Sequence, residues 1–147
     1  MIWIAGAIAL SLWAVALLHL FWALGGLWPA QSAQELARMV VGVEREGAMP
    51  GRALTLIVAV LIALAGLWPL LYLGVVGPAL TSGLRESGLI EFGMWLLVLV
   101  FGLRGAVTYL PGPWQAGGVE PFRTLNRRYY SPLIGLIGVG YLILLLG

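Results

Sequence analysis

The sequence predicts an all-α protein: a membrane-spanning four-helix bundle with a short interfacial amphipathic helix in its first loop. Two observations predict it. Of the 147 residues, 61% are hydrophobic and only 10% are charged, whereas soluble domains run nearer one quarter charged. The apolar residues also fall into four stretches, about 2–28, 53–77, 88–109 and 131–146, separated by segments bearing Pro, Gly and Arg. A bilayer is the solvent that such stretches require. Four spans and two substantial loops account for residues 1–147 as a single transmembrane domain.

The first stretch, Ile2 to Trp28, holds no charged side chain. As a helix it would be about 40 Å long, enough to cross a hydrocarbon core of about 30 Å with tilt. It lacks a basic n-region and is too long for a signal peptide. Trp3 and Trp28 stand where an interfacial aromatic belt would put them, and Gly25, Gly26 and Pro29 mark its end. In the loop that follows, Ser32-Ala33-Gln34-Glu35 is a capping-box pattern. Leu36, Met39, Val40 and Val43 then recur at helical spacing, which predicts an amphipathic helix from about Ala33 to Glu46, stopped by Gly47 and lying in the membrane interface.

The second span follows Pro50-Gly51-Arg52 and precedes Pro78. Pro69 inside it predicts a kink or a missing backbone hydrogen bond near Ala65. The third span carries Glu91 and Arg104. Ser131 reads as the N-cap of the fourth, with Pro132 at its first helical position. About 15 residues remain from there, roughly 22 Å, which is short for a crossing. Either residues before Ser131 extend the span past a kink, or the bilayer thins. Small residues at Ala59 and Ala63, Gly102 and Ala106, Ser131 and Gly135, and Gly135 and Gly138 predict close helix approach.

Arginine counting sets the orientation. The first loop carries Arg38, Arg45 and Arg52, and the third carries Arg123, Arg127 and Arg128. These two loops share a side, which the count makes cytoplasmic; Arg85 and both termini then lie outside. The expected location is the cell membrane, with loops 29–52 and 110–130 in the cytoplasm. A net charge of +2 placed on loop arginines suits acidic lipid headgroups and gives no nucleic-acid surface.

The charge inventory excludes several chemistries. All eight basic residues are Arg, all six acids are Glu, Cys is absent and His19 is the only histidine. Thiol and iron–sulfur chemistry have no ligand. No Lys is present for a Schiff base. One His without Asp or Cys cannot close a zinc site within one chain, so no metal is expected.

Ionisable groups inside a bilayer need a reason. His19 lies nine residues before the end of its span, and Trp22 and Gly26 share its face. It reads as a ligand-orienting group, a proton acceptor, a single axial haem ligand, or an interhelical hydrogen bond. Arg104, at similar depth, either snorkels or faces inward to hold an anion, a carboxylate or a carbonyl; Glu120 is a candidate partner. Glu91 reads as a first-turn carboxylate complementing the helix dipole. Asn126, Arg127, Tyr129 and Tyr130 form a candidate lid, or contact headgroups. Among the seven Trp, Trp3, Trp28, Trp68 and Trp114 suit interfaces, while Trp13, Trp22 and Trp95 fall inside spans. Ser11 is two turns from His19, and no nucleophile–base constellation is visible.

His19-Leu20-Phe21-Trp22-Ala23-Leu24-Gly25-Gly26 resembles the opening motif of a bacterial family of small four-helix membrane proteins, domain-of-unknown-function family 3995. Tyr130-Ser131-Pro132-Leu133 resembles the motif opening that family's last helix. The layout agrees over the whole chain, the residues over these stretches. A cysteine often follows the second motif in the family. Ile134 stands there in this chain, so a thiol role does not transfer. The resemblance implies a fold and a membrane, and no activity.

Three functions remain as expectations. The first is a binding protein for a small amphipathic or lipid-like ligand at the cytoplasmic end of the bundle. His19 and Trp22 form one wall of its pocket, and Arg104 with the Asn126–Tyr130 segment closes it, Asn126, Arg127 and Tyr130 being the contacts. The second is an accessory or assembly subunit, with a membrane-protein partner or a second copy on its lipid-facing surfaces. The third is a membrane enzyme using His19 and Glu91 or Glu120 as acid and base, which requires those groups to converge on one cavity. The cofactor is unknown; a haem on His19 would show in an absorption spectrum.

Overall fold

A computed structural model describes residues 1–44, 50–111 and 118–147. Arg45, Glu46, the Gly47 stop and the interfacial Trp114 lie outside the described residues. Among the described residues seven α-helices follow one another: α1 (Ile2–Ala23), α2 (Ala33–Val40), α3 (Arg52–Tyr72), α4 (Pro78–Glu86), α5 (Leu89–Ala106), α6 (Phe122–Leu125) and α7 (Ser131–Leu146). A 3-10 turn, Val107–Tyr109, finishes α5, and a π turn, Asn126–Tyr130, joins α6 to α7. No strand occurs among the described residues. Four helical segments among the described residues are long and apolar enough to cross a membrane: Ile2–Ala23, Arg52–Tyr72, Leu89–Tyr109 and Phe122–Leu146.

The four spans form a ring in chain order. α1 packs along α3 and α5 along α7, and contacts of α3 with α5 and of α7 with α1 join the two pairs. Both termini lie at one end, where the Met1 side chain sits beside Gly147. We call this the terminal end; α2 and the described part of the third loop sit at the opposite, loop end. The core, with Ile8, Leu12, Met94, Tyr141 and Leu144 at its centre, fills the half nearer the termini. On the outside, Leu10, Leu17 and Leu136 are 66–70% exposed. Helices apolar on every face belong in a protein core or a membrane, and outward side chains this exposed suit lipid.

Glycine lets the second pair close. A Cβ on Gly105 would stand 2.6 Å from the Gly135 Cα, and one on Gly138 would stand 2.8 Å from the Gly102 nitrogen. The helix backbones themselves touch here, as the small-residue spacing predicts. Pro69 is buried within α3 and has no N–H to give the Ala65 carbonyl. Tyr141 Oη on α7 donates to that carbonyl at 2.7 Å. Two indoles also tie helices together: Trp13 Nε1 donates to the Ala63 carbonyl at 3.1 Å, and Trp68 Nε1 to the Ile90 carbonyl at 3.0 Å.

Several boundaries differ from expectation, and glycine explains most. α1 ends at Ala23 because Gly25 takes φ +98°, so Gly26 N–H bonds the Phe21 carbonyl and Gly25 N–H the Trp22 carbonyl. α3 ends at Tyr72, not near Gly77, through the same arrangement at Gly74. The apolar run continues through Val75 and Val76, but the helix does not. α2 stops at Val40 ahead of Gly42, whose φ is +80°. Its start is as expected: Ser32 Oγ accepts the Glu35 N–H at 3.1 Å, and Glu35 Oε2 accepts the Gln31 N–H at 2.8 Å. α4 was not anticipated. Arg85 near its end donates to the Leu71 and Tyr72 carbonyls, covering the C-terminus of α3.

The fourth span corrects the reading of Ser131. Its φ of −66° and ψ of −40° are helical, so it is not an N-cap. The helix enters from Phe122 and passes through the π turn, giving a span of 25 residues. The extra residues before Ser131 supply the missing length.

Candidate ligand pocket and polar cluster at the loop end

At the loop end the polar side chains of the spans form two groups. His19 anchors the first. On α1 it follows Ile8 and Leu12 by 11 and 7 residues, which puts it on the inward stripe. Its Nδ1 lies 2.8 Å from the Val15 carbonyl. A carbonyl only accepts, so Nδ1 carries the hydrogen; in the neutral ring Nε2 is then the acceptor. Among the described residues Nε2 has no hydrogen-bond partner. The His19 and Trp22 rings lie 5.0 Å apart at 58°. Trp22 Nε1 donates to the Trp28 carbonyl at 2.8 Å, which fixes the indole.

These two rings line a cavity of about 190 Å³ with Val40 and Val41 at the end of α2, and Pro50, Leu54, Thr55 and Val58 at the start of α3. Thr55 Oγ1 donates to the Pro50 and Gly51 carbonyls, each at 3.3 Å. The wall is therefore apolar apart from the His19 ring and the Thr55 hydroxyl oxygen.

Arg104 anchors the second group. It follows Phe101 by three residues and precedes Thr108 by four, again on the inward stripe of its helix. Its Nη2 donates to Asn126 Oδ1 at 2.9 Å and its Nη1 to Ser131 Oγ at 3.4 Å. Asn126 Nδ2 donates to Thr108 Oγ1 at 3.0 Å, Thr108 and Ser131 share a hydrogen bond of 2.7 Å, and Ser131 Oγ donates to Asn126 Oδ1 at 3.1 Å. The π turn permits this. In an α-helix residues five apart diverge by about 140°. The wider turn brings Asn126 and Ser131 onto one face.

α2 and the described part of the third loop are tied to each other at this end. Tyr130 Oη donates to the Met39 carbonyl at 3.4 Å, next to Val40 in the cavity wall. Val119 N–H donates to the Gly42 carbonyl at 2.9 Å, and Arg38 Nη2 to the Glu120 carbonyl at 3.4 Å. Gly42 and Gly118 are both at positive φ with the Phe122 ring against them, so the two loops pack on one aromatic side chain. The first loop is thus protein-packed: Leu36 and Ala37 of α2 are buried.

The expected residues divide accordingly. His19 and Trp22 share a cavity, and Arg104 and Asn126 share a network; no hydrogen bond among the described residues links the two groups. Arg127 is exposed, and its carbonyl accepts from Tyr109 Oη at 2.6 Å. Glu120 is exposed and its Oε2 accepts the Thr124 N–H at 3.2 Å. Glu91 is exposed in the first turn of α5, at the terminal end. Neither glutamate lines the His19 cavity, so the convergence needed for acid–base catalysis is not met. Three members of the sites were missed. Thr108 had a signal, since it stands four residues after Arg104 on the same face. Ser131 was read as a cap. Thr55 follows Gly51 and Arg52 and looks like any first-turn residue.

A family model described as "Protein of unknown function (DUF3995)" matches residues 12–141. Neither the curated proteins nor the solved structures give a significant match.

Proposed function

The chain belongs to the DUF3995 family of proteins of unknown function, and from that premise we propose that it is a membrane binding protein for a small amphipathic or lipid-like molecule. The ligand's polar end sits in the His19 cavity. One observation carries the reading. The only histidine of the chain lies on an inward helix face with Nδ1 engaged by Val15, and Nε2, without a partner among the described residues, is open to a donor from a ligand. At about 190 Å³ the cavity is smaller than those that enclose a drug-sized molecule, about 300–1,000 Å³. It fits the head of an amphiphile whose tail extends into lipid.

Mass spectrometry on protein extracted in mild detergent tests this. His19→Ala should lower the amount of co-purifying small molecule about tenfold, the worth of one well-placed hydrogen bond and its ring contact. The thermal midpoint should fall only slightly, because the lost bond lies within one helix. Full retention of the molecule, or a loss of stability that matches the loss of ligand, overturns the assignment.

We place the protein in the cell membrane with residues 29–52 and 110–130 in the cytoplasm, on the arginine asymmetry of the loops. The chain has no cysteine, so single replacements report cleanly. A membrane-impermeant maleimide should label Ser82→Cys in intact cells and Gln34→Cys only after permeabilisation. Both positions are exposed. The opposite pattern would invert the topology.

A further inference from the structure

The Arg104 group is incomplete as an electrostatic object. A guanidinium within a membrane span needs hydrogen-bond partners, and neutral acceptors replace only part of its hydration. Arg104 is half-buried, and its partners, Asn126 Oδ1 and Ser131 Oγ, are both neutral. Among the described residues no carboxylate pairs with it. Glu35, Glu44, Glu86, Glu91 and Glu120 are all exposed. The Ser131 contact, at 3.4 Å, is at the outer limit for a hydrogen bond. Nη1 is therefore weakly held and able to turn to a stronger acceptor. Thr108, Ser131 and Asn126 are meanwhile closed on one another, so the guanidinium could rotate away without stranding them.

We propose that the ligand of the loop end is an anionic amphiphile, with a carboxylate or phosphate headgroup that completes the hydrogen bonding of Arg104. This inference rests on the ligand-binding reading above; it adds, to the donor group at His19, an anionic group of the same ligand at Arg104, which is not among the residues lining the His19 cavity. The planar fork of Arg suits an oxyanion, which accepts two parallel N–H bonds. Asn126 keeps the fork oriented from the α7 side, and the π turn holds Asn126. The anion supplies the negative charge that no described residue places on Arg104.

The test titrates the whole protein in mild detergent with dodecanoate, dodecyl phosphate, dodecanol and inorganic phosphate, with thermal stabilisation and native mass spectrometry as readouts. The two anionic amphiphiles should bind about tenfold more tightly than dodecanol. Arg104→Gln keeps an amide donor for Asn126; it should abolish that preference. Arg104→Lys should retain part of the preference, since the charge remains and the fork is lost. If dodecanol binds as tightly as the anions, the charge inference falls and the ligand reading stands. Failure of every amphiphile to bind removes both. If inorganic phosphate matches dodecyl phosphate, the site takes a free anion and the amphiphile is wrong. An unchanged preference in Arg104→Gln moves the anion elsewhere and overturns the assignment to Arg104.

Discussion

Gly105→Ala is expected to lower the unfolding free energy by about 2–3 kcal/mol, near the upper end of overpacking penalties. The added methyl would meet the Gly135 Cα at 2.6 Å, the Gly135 nitrogen at 2.7 Å and the Ser131 carbonyl at 3.2 Å. All three are backbone atoms within α7, so no rotamer change relieves the clash and the two helices must part. Separation would also stretch the bonds from Arg104 and Thr108 to Ser131. Gly102→Ala is the control. It lies three residues away, yet its Cβ would meet nothing within 4 Å. Its better helix propensity should leave stability unchanged or raise it by up to about 1 kcal/mol. Thermal unfolding in mild detergent reads both. Equal effects at the two positions would mean that α5 and α7 do not meet at Gly105.

Tyr141→Phe is expected to cost about 1–2 kcal/mol, although it removes a single oxygen. Interhelical hydrogen bonds in membranes average well under 1 kcal/mol. This one is worth more because Pro69 cannot bond the Ala65 carbonyl, and Tyr141 is fully buried. Without the phenol that carbonyl has no donor, and lipid offers none. The cause can be separated from general loss of packing. Pro69→Ala restores an N–H four residues after Ala65, so it should recover part of the loss in the Tyr141→Phe background. A double variant no more stable than Tyr141→Phe alone would rule out the unpaired carbonyl as the cause.

The two halves of the bundle differ in kind. Toward the termini the spans meet through buried aliphatic side chains, glycine contacts and tyrosine and tryptophan hydrogen bonds. Toward the loops they carry His19, Thr55, Arg104, Thr108, Asn126 and Ser131 at inward or half-buried positions. A membrane helix needs none of these polar groups to fold. Polar groups within spans are costly, and their gathering at one end is the reason the proposed ligand is placed there.

Much of this architecture was readable in the chain itself. Spans show in hydropathy because hydrocarbon tolerates few charges. The Ser32 capping box, the Pro69 defect and the glycine contact of α5 with α7 are local rules, and each holds. Helix ends were read too late wherever apolar residues continue past a glycine, as at Gly74. Hydropathy does not see φ. The Ser131 reading failed because a Ser-Pro pair marks a helix start in isolation, and here the π turn carries the helix through it. His19 and Trp22 were legible as neighbours from their spacing. Asn126 beside Arg104 was legible only as a candidate, since 22 residues and a loop lie between them. Ser131 was hidden, because a small hydroxyl residue in a span looks the same whether it packs or bonds; Thr108 showed only in its spacing from Arg104.

The central claim concerns one imidazole, and because His19 is the only histidine, labelling histidine with nitrogen-15 reports on it alone. In gently extracted protein the ring should be the Nδ1–H tautomer, with an Nε2 signal that moves when bound small molecules are stripped and returns when the extract is restored. An Nε2–H tautomer, or an Nε2 signal indifferent to stripping, would contradict a ligand at that nitrogen.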